Sequence, residues 1–363
     1  MKVIVIGLGG MGSAAAAHLA ARGTHVIGIE RFTPAHDHGS SHGRSRIIRQ
    51  AYFEDAQYVP LLLRAYELWR ELDPSLLHLT GGLMIGAPDS DVVTGSLASA
   101  RTYGLAHEVL DAAEIRRRFP VLTPGDDVIA LYEPMAGFVN PEECTLAHLA
   151  HATKHGAELH FEEAVTSWNA TANGVRVTTT RATYEADRLV IAPGAWAPEL
   201  LADLHVPFTI ERQGLFWFDA AGFDPFPIYI WELDRTVHFY GFPADAVGVK
   251  VALYHGGDVC TPETIDRSVR AEEVERIHAI LSSRIPTLTG PLVDATTCMY
   301  TNTPDLHFVL GLHPSHANVV VASPCSGHGY KFASVIGEIL AGLAIDGATP
   351  HAIEAFRPER FGR

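Results

Sequence analysis

Gly7, Gly9 and Gly12 stand at G-x-G-x-x-G spacing directly after the β-branched run Val3-Ile4-Val5-Ile6. In that setting the first glycine makes a tight turn. The second lets the backbone approach a pyrophosphate, and the third lets a helix pack close to the strand. Phosphate oxygens then lie at a helix N-terminus with its partial positive charge. Glu30 closes the next apolar run, from His25 to Ile29. A carboxylate there accepts from a ribose hydroxyl and disfavours a 2′-phosphate, so the pattern selects FAD or NAD over NADP. A second glycine-rich loop, Ser326-Gly327-His328-Gly329-Tyr330, feeds another helix start near Lys331. A helix start aimed at a ring carbonyl stabilises negative charge there, which a reduced flavin needs near its pyrimidine end. One dinucleotide gripped from both ends of the chain fits FAD better than NAD. Lysine is scarce, with Lys2, Lys154, Lys250 and Lys331 among 27 basic residues. That scarcity weighs toward a chemical role for those set among glycines and aromatics.

These residues need elements to hold them. A strand over residues 3–6, a helix over 13–22 ending at Gly23, and a strand over 25–30 make a βαβ beginning. Residues 31–43 form a polar loop with three histidines, and a helix covers Val59 to Leu72. Gly81 to Gly86 is a strand, Gly137 to Pro141 a turn, and Glu142 to His155 a helix. Val175–Thr179 and Thr183–Ala186 alternate as a hairpin, and Leu189 to Ala192 is a buried strand running into Gly194 and Trp196. Phe208 to Tyr254 is aromatic, with short strands and turns, as suits a largely antiparallel second sheet. Val319–Ala322 is a strand, and Phe332, Val335, Ile336, Ile339, Leu340 and Leu343 recur at helical spacing.

Composition bounds the reading. The chain has 363 residues, 47% hydrophobic and 19% charged, enough for two linked domains with real cores. A net charge of −15 disfavours nucleic acid as a partner. Four cysteines do not make a disulfide scaffold, so reduced thiols and a cytoplasmic setting are expected. Met1 and Lys2 lead straight into a strand, so no cleavable signal is expected. No apolar run of about 18 residues appears, so no membrane span is expected either.

Five runs together resemble a known family. They are G-L-G-G-M-G at Gly7–Gly12, H-G-R-S-R-I-I-R at His42–Arg49, Y-G-F-P at Tyr240–Pro243, C-M-Y-T at Cys298–Thr301 and S-G-H-G-Y-K-F at Ser326–Phe332. In order and spacing the chain resembles the monomeric sarcosine oxidase and N-methyltryptophan oxidase group of flavin-dependent amine oxidases. The resemblance implies an α/β and α+β fold with a Rossmann-like, glutathione-reductase-like FAD-binding domain and a second domain on a mostly antiparallel sheet. The FAD domain would be discontinuous, over residues 1–80, 140–206 and 303–363. Residues 81–139 and 207–302 would form the substrate domain.

The resemblance implies oxidation of a secondary or N-methyl amino acid. Hydride passes to flavin N5, giving an imine that water hydrolyses, and oxygen is reduced to hydrogen peroxide. Alternatives are a flavin-dependent amino acid dehydrogenase passing electrons to a carrier, a tailoring oxidase of a cyclic amino acid such as a pipecolate or proline derivative, and a non-catalytic flavin subunit. By resemblance, Arg49 and Lys331 clamp the substrate carboxylate, Lys250 lies over the flavin face and assists oxygen reduction, and Tyr240 and Tyr300 shape the pocket. His42 and Arg46 lie near the flavin, and Cys298 carries a thioether to the flavin 8α carbon, with Cys325 the competing site. Cofactor contacts fall on Gly7, Gly9, Gly10, Met11, Gly12, Glu30, Arg31, Ser41, Val165, Gly194 and Trp196, and on Gly327, His328, Gly329 and Lys331. No metal is expected, and the partners are an amine bearing a carboxylate and molecular oxygen, with the protein a monomer or homodimer. The chain departs from the family at Arg44, Ser45 and Ser323-Pro324-Cys325. The family histidine aligns with either Tyr254 or His255, and Trp231 stands where sarcosine enzymes carry a smaller side chain.

Overall fold

A computed structural model describes residues 1–362. Among them, six strands form a sheet in the order Val309–His313, His316–Ser323, Arg188–Ile191, Lys2–Ile6, His25–Ile29, Glu158–His160. All neighbours in it run parallel except the first pair. The run Lys2–Ile6 is apolar at successive positions because both its faces are covered. Val3 and Val5 pack under the helices Gly10–Ala21, Pro141–Lys154 and Ala333–Asp346, while Ile4 and Ile6 pack toward a three-stranded antiparallel sheet that includes Gly174–Thr179. The first and last helices cross so closely that a Cβ on Gly337 would meet Ala14 at 2.6 Å. That contact joins the two ends of the chain.

The second sheet is large and mostly antiparallel. Its longest strands are Thr209–Phe218 and Leu292–Asn302, paired over nearly their full length. Only the pair Gly82–Gly86 and Ile228–Asp234 runs parallel in it. The expectation of short strands between Phe208 and Tyr254 is corrected here. Gly214 and Gly241 lie inside strands, where they admit neighbouring rings. A Cβ on Gly241 would sit 2.1 Å from the Tyr229 hydroxyl, and one on Gly214 would sit 2.7 Å from the Phe216 ring. Gly137–Val139 is likewise a short strand rather than a turn, paired with Arg46–Ile48. No helix among the described residues is long and apolar enough to cross a membrane.

Alternation sorts the second sheet into two faces. Phe216, Phe218, Trp231, Phe239, Val249 and Val251 point into a core of their own. Leu215, Trp217, Tyr240, Ala252 and Cys298 gather on the opposite face, toward the first sheet.

Candidate active site

One cleft of about 1860 Å³, counting its open mouth, runs between the two sheets. At one end lie Gly7, Gly9, Gly10 and Met11. Gly7 has φ +83°, and a Cβ there would meet the Ala192 carbonyl oxygen at 2.4 Å. Gly12 does not line the cleft; a Cβ on it would overlap the Gly7 carbonyl oxygen at 1.7 Å, so its role is the close helix–strand packing. The helix that starts at Gly10 has no side-chain cap and no acid in its first turn. Its orphan N–H groups and partial positive charge form a cradle for phosphate. Ser41 Oγ accepts from Gly10 N at 3.1 Å. Glu30 is buried at the end of its strand and accepts from Leu8 N at 2.8 Å and Phe32 N at 3.1 Å. Arg31, Val165, Gly194 and Trp196 line the same end, with the Arg31 guanidinium 5.6 Å from the Trp196 ring centroid. The donor set and the glycine cradle fit a dinucleotide.

The other end is built by both sheets. Cys298 and Tyr300 stand two residues apart on Leu292–Asn302, so both face the cleft. Tyr240 lies across from them, its hydroxyl 3.3 Å from that of Tyr300. Tyr254 also lines the cleft, while His255 turns away and meets Glu211 Oε2 at 3.3 Å. Of the two residues, Tyr254 is the one that lines the cleft. Trp231, where sarcosine enzymes carry a smaller side chain, does not line the cleft. It stacks on Phe239 in the far core, and its neighbour Ile230 faces the cleft.

Arg49 and Lys331 come together here from distant parts of the chain. Arg49 is 1% exposed, lies over the Tyr52 and Phe53 rings, and donates to the Ala51 carbonyl at 2.9 Å. Its Nη2 donates to Glu54 at 2.7 and 2.5 Å, while its Nε has no partner among the described residues. Burial alone would raise the Glu54 carboxyl, but the adjacent Arg49 holds it below the usual range. Lys331 sits in a single turn, Tyr330–Phe332, just before the helix Ala333–Asp346 rather than within it. Its Nζ donates to the His328 carbonyl at 2.6 Å. Burial and then Arg49 push its pKa down to about 7, against the pull of Glu54. His328 is held neutral, at about 4, chiefly by burial; Tyr52 and the Leu306 carbonyl engage its two ring nitrogens. Gly327 and Gly329 line the cleft beside it. Nothing in sequence spacing marked Glu54, whose pairing with Arg49 depends on a bend at Gln50–Phe53 rather than a helical repeat.

Two expected site residues lie behind the wall. Lys250 does not line the cleft. Its Nζ donates to Gly43 O at 2.7 Å, Ser45 O at 2.8 Å and Ser45 Oγ at 3.1 Å. Burial and then Arg46 push its pKa well below that of a free lysine, yet three acceptors match the three protons of an ammonium. His42 is also buried outside the cleft lining, next to Cys298. Arg46 lines the cleft and donates to the Ser40 and Ser45 carbonyls at 2.9 Å, with Nη2 3.3 Å from Cys298 Sγ. Burial alone would suppress ionisation of Cys298, but Arg46 and His42 outweigh it and bring the thiol to about 6. Burial drives Cys325 the other way, to about 11. The two cysteines lining one cleft thus differ in charge state at neutral pH.

A second group of ligand-type side chains, Asp203, His313 and His316, lies outside the cleft. His313 Nε2 is 2.8 Å from Asp203, and its Nδ1 accepts from Ser315 N at 3.1 Å. That acceptor role leaves the proton on Nε2, where it is donated to Asp203. A metal-bound imidazole would instead need to donate from Nδ1. The group is arranged as a hydrogen-bonded cap.

Residues 2–343 match the model of the family described as FAD dependent oxidoreductase. The chain is 56% identical to a monomeric sarcosine oxidase of Streptomyces avermitilis, over 99% of this chain and 97% of that one. It is 34% identical to an N-methyl-L-tryptophan oxidase of Yersinia pestis, over 99% of both chains. Among solved structures it is similar to NikD, described as an unusual amino acid oxidase essential for nikkomycin biosynthesis. That likeness has a TM-score of 0.86 and 27% identity, covering 98% of this chain and 96% of the other.

Proposed function

The chain belongs to the FAD-dependent oxidoreductase family, and from that premise we propose that it oxidises a small amino acid carrying a secondary or N-methyl amine. The observation that carries this reading is the convergence of Arg49 and Lys331 in the same cleft as the dinucleotide cradle. Bound FAD supplies the two-electron chemistry, accepting hydride from the carbon next to nitrogen and passing the electrons to oxygen to give hydrogen peroxide. The protein's share is orientation and charge. Arg49 offers its unpartnered Nε and Lys331 two spare N–H groups to a substrate carboxylate, which fixes the amine-bearing carbon. The cations Arg46, Arg49 and Lys331 disfavour an ammonium nearby, so the amine binds in the neutral form that can release hydride. Tyr240, Tyr254 and Tyr300 enclose the reacting carbon and exclude bulk water. Hydrolysis of the released imine completes the reaction.

Cys298 is the attachment site in this reading. Its thiolate sulfur would hold the flavin through its 8α carbon, the methyl proton and the released electron pair being taken up by solvent and by oxygen as peroxide. The contrast with Cys325, a thiol at neutral pH, supports Cys298. The cofactor domain would comprise residues 1–80, 140–206 and 303–363, and the substrate domain 81–139 and 207–302. Four cysteines without a disulfide support a cytoplasmic setting.

A peroxide-coupled screen of N-methyl, N-alkyl and cyclic amino acids tests the reading. Peroxide from N-methyl amino acids is expected, with flavin remaining in the acid-precipitated protein of the wild type and released from C298S. Reduction of an artificial dye without peroxide in air would overturn the oxidase reading. Release of flavin from the wild type would overturn the covalent link.

A further inference from the structure

The turn that presents His42 and Arg46 to Cys298 is gripped from both sides by charges that do not line the cleft. Gly43 and Arg44 both have left-handed backbone, at φ +95° and +66°. A Cβ on Gly43 would also press on Leu215 at 2.8 Å. Arginine does not hold that conformation without support. Lys250 holds the turn's carbonyls, as described above. Its N–H groups are held by Glu142, whose Oε1 accepts from Gly43 N at 2.6 Å, while Arg44 N lies 3.2 Å from both carboxylate oxygens. Glu142 belongs to the first turn of the helix Pro141–Lys154, but that helix does not need its carboxylate. Asn140 Oδ1 already caps the helix, accepting from Glu142 N at 3.0 Å and Glu143 N at 3.1 Å. The Glu142 side chain reaches instead to a loop about 100 residues earlier.

We propose that Glu142 is a positioning residue for covalent cofactor attachment, fixing the Gly43–Arg44 turn so that His42 and Arg46 face the Cys298 sulfur. The proposal rests on the reading of Cys298 as the attachment site. A carboxylate suits the turn because Oε1 accepts from both N–H donors, Oε2 also reaches Arg44 N, and the charge strengthens each bond. An amide offers one oxygen and turns its own donors toward Arg44 N. With the turn relaxed, Arg46 no longer stabilises the thiolate, and burial governs Cys298.

The test uses full-length wild type, E142Q and E142D, produced without riboflavin. One measurement is the pH midpoint of Cys298 alkylation by iodoacetamide. The other is the rate of covalent flavin incorporation after FAD is added. The wild-type midpoint is expected near 6. E142Q should raise it by about one unit or more and slow incorporation about ten-fold, with partial recovery in E142D. A purely structural role would lower the melting temperature without moving the midpoint. E142Q matching wild type in midpoint and rate overturns the proposal. If wild type takes up no covalent flavin, the attachment reading fails, and the midpoint comparison still decides the role of Glu142. Should E142Q be insoluble, G43A distorts the same turn; an unmoved midpoint there equally overturns the proposal.

Discussion

Glu54 is paired with the Arg49 guanidinium assigned above, in the proposed function, to the substrate carboxylate, which makes Glu54→Gln an informative perturbation. The pair is short, with Arg49 buried and Glu54 partly so, and with Arg49 Nη2 at 2.7 and 2.5 Å from the two carboxylate oxygens. A charge-assisted hydrogen bond contributes about 1.5–3 kcal/mol net. An incoming carboxylate on the free Nε leaves that bond in place but must still approach the Glu54 charge. At about 1.4 kcal/mol per factor of ten, removing the charge should tighten binding of a simple carboxylate such as acetate by about ten-fold or more. The free enzyme pays in the opposite sense. A buried guanidinium stripped of its counter-charge costs about 3–5 kcal/mol, less the one hydrogen bond glutamine can still accept. E54Q should therefore melt earlier than wild type without ligand and gain more from saturating acetate. Acetate binding is followed by the change in flavin absorbance, and melting is followed in the same samples. Acetate affinity equal to or weaker than wild type would refute the reasoning. A selective loss of affinity for N-methyl amino acids, with acetate unchanged, would instead assign Glu54 to the amine.

Two further outcomes follow from the buried titratable groups. Lys331, at about 7, gains a proton when a carboxylate binds beside it, so the acetate Kd should weaken up to about ten-fold per pH unit above 7. K331M should flatten that dependence and leave the part due to Arg49; a wild-type slope retained in K331M would exclude Lys331. His148 is buried against Trp69 with an unpartnered Nδ1, and burial brings it to about 3. Its folded value lies below the unfolded one, so its contribution is intact above about pH 6.5 and declines as pH falls toward 3. By pH 4.5 the loss is on the order of 3 kcal/mol. H148L should lose correspondingly less stability to urea between pH 7 and 4.5, and parallel curves for the two proteins would exclude this source.

The parts legible in the sequence are those that local chain geometry dictates. Gly7, Gly12 and Glu30 need only one βαβ unit to define their places, and the first parallel strands confirm that unit. Ser326 to Lys331 is another local device, though a single tight turn separates Lys331 from the helix. The second sheet was less legible because Ile228-Tyr229-Ile230-Trp231 is apolar at every position and buried on both faces. Without alternation nothing in the run says which residues face the cleft, and a one-residue shift exchanges Trp231 for Ile230. Glu54 and Glu142 were invisible for a different reason. Each acts on a partner set by a bend or by a tertiary contact, and no periodicity encodes either.

That division bears on how the chemistry is controlled. Tyr240, Tyr254, Cys298 and Tyr300 stand on strands of a stiff sheet, so alternation fixes their direction with little help. His42, Arg46 and Arg49 come from the irregular segment around the three-residue strand Arg46–Ile48, which has only one short partner strand to hold it. Its conformation must be supplied by side chains, and the structure supplies Glu142 and Lys250 on one flank and Glu54 on the other. All three are charges buried or half-buried against backbone or a guanidinium. A substitution at any of them should alter cofactor attachment or carboxylate binding more than it alters the fold. Substitutions on the far face of the sheet, such as Trp231→Ala, should do the reverse.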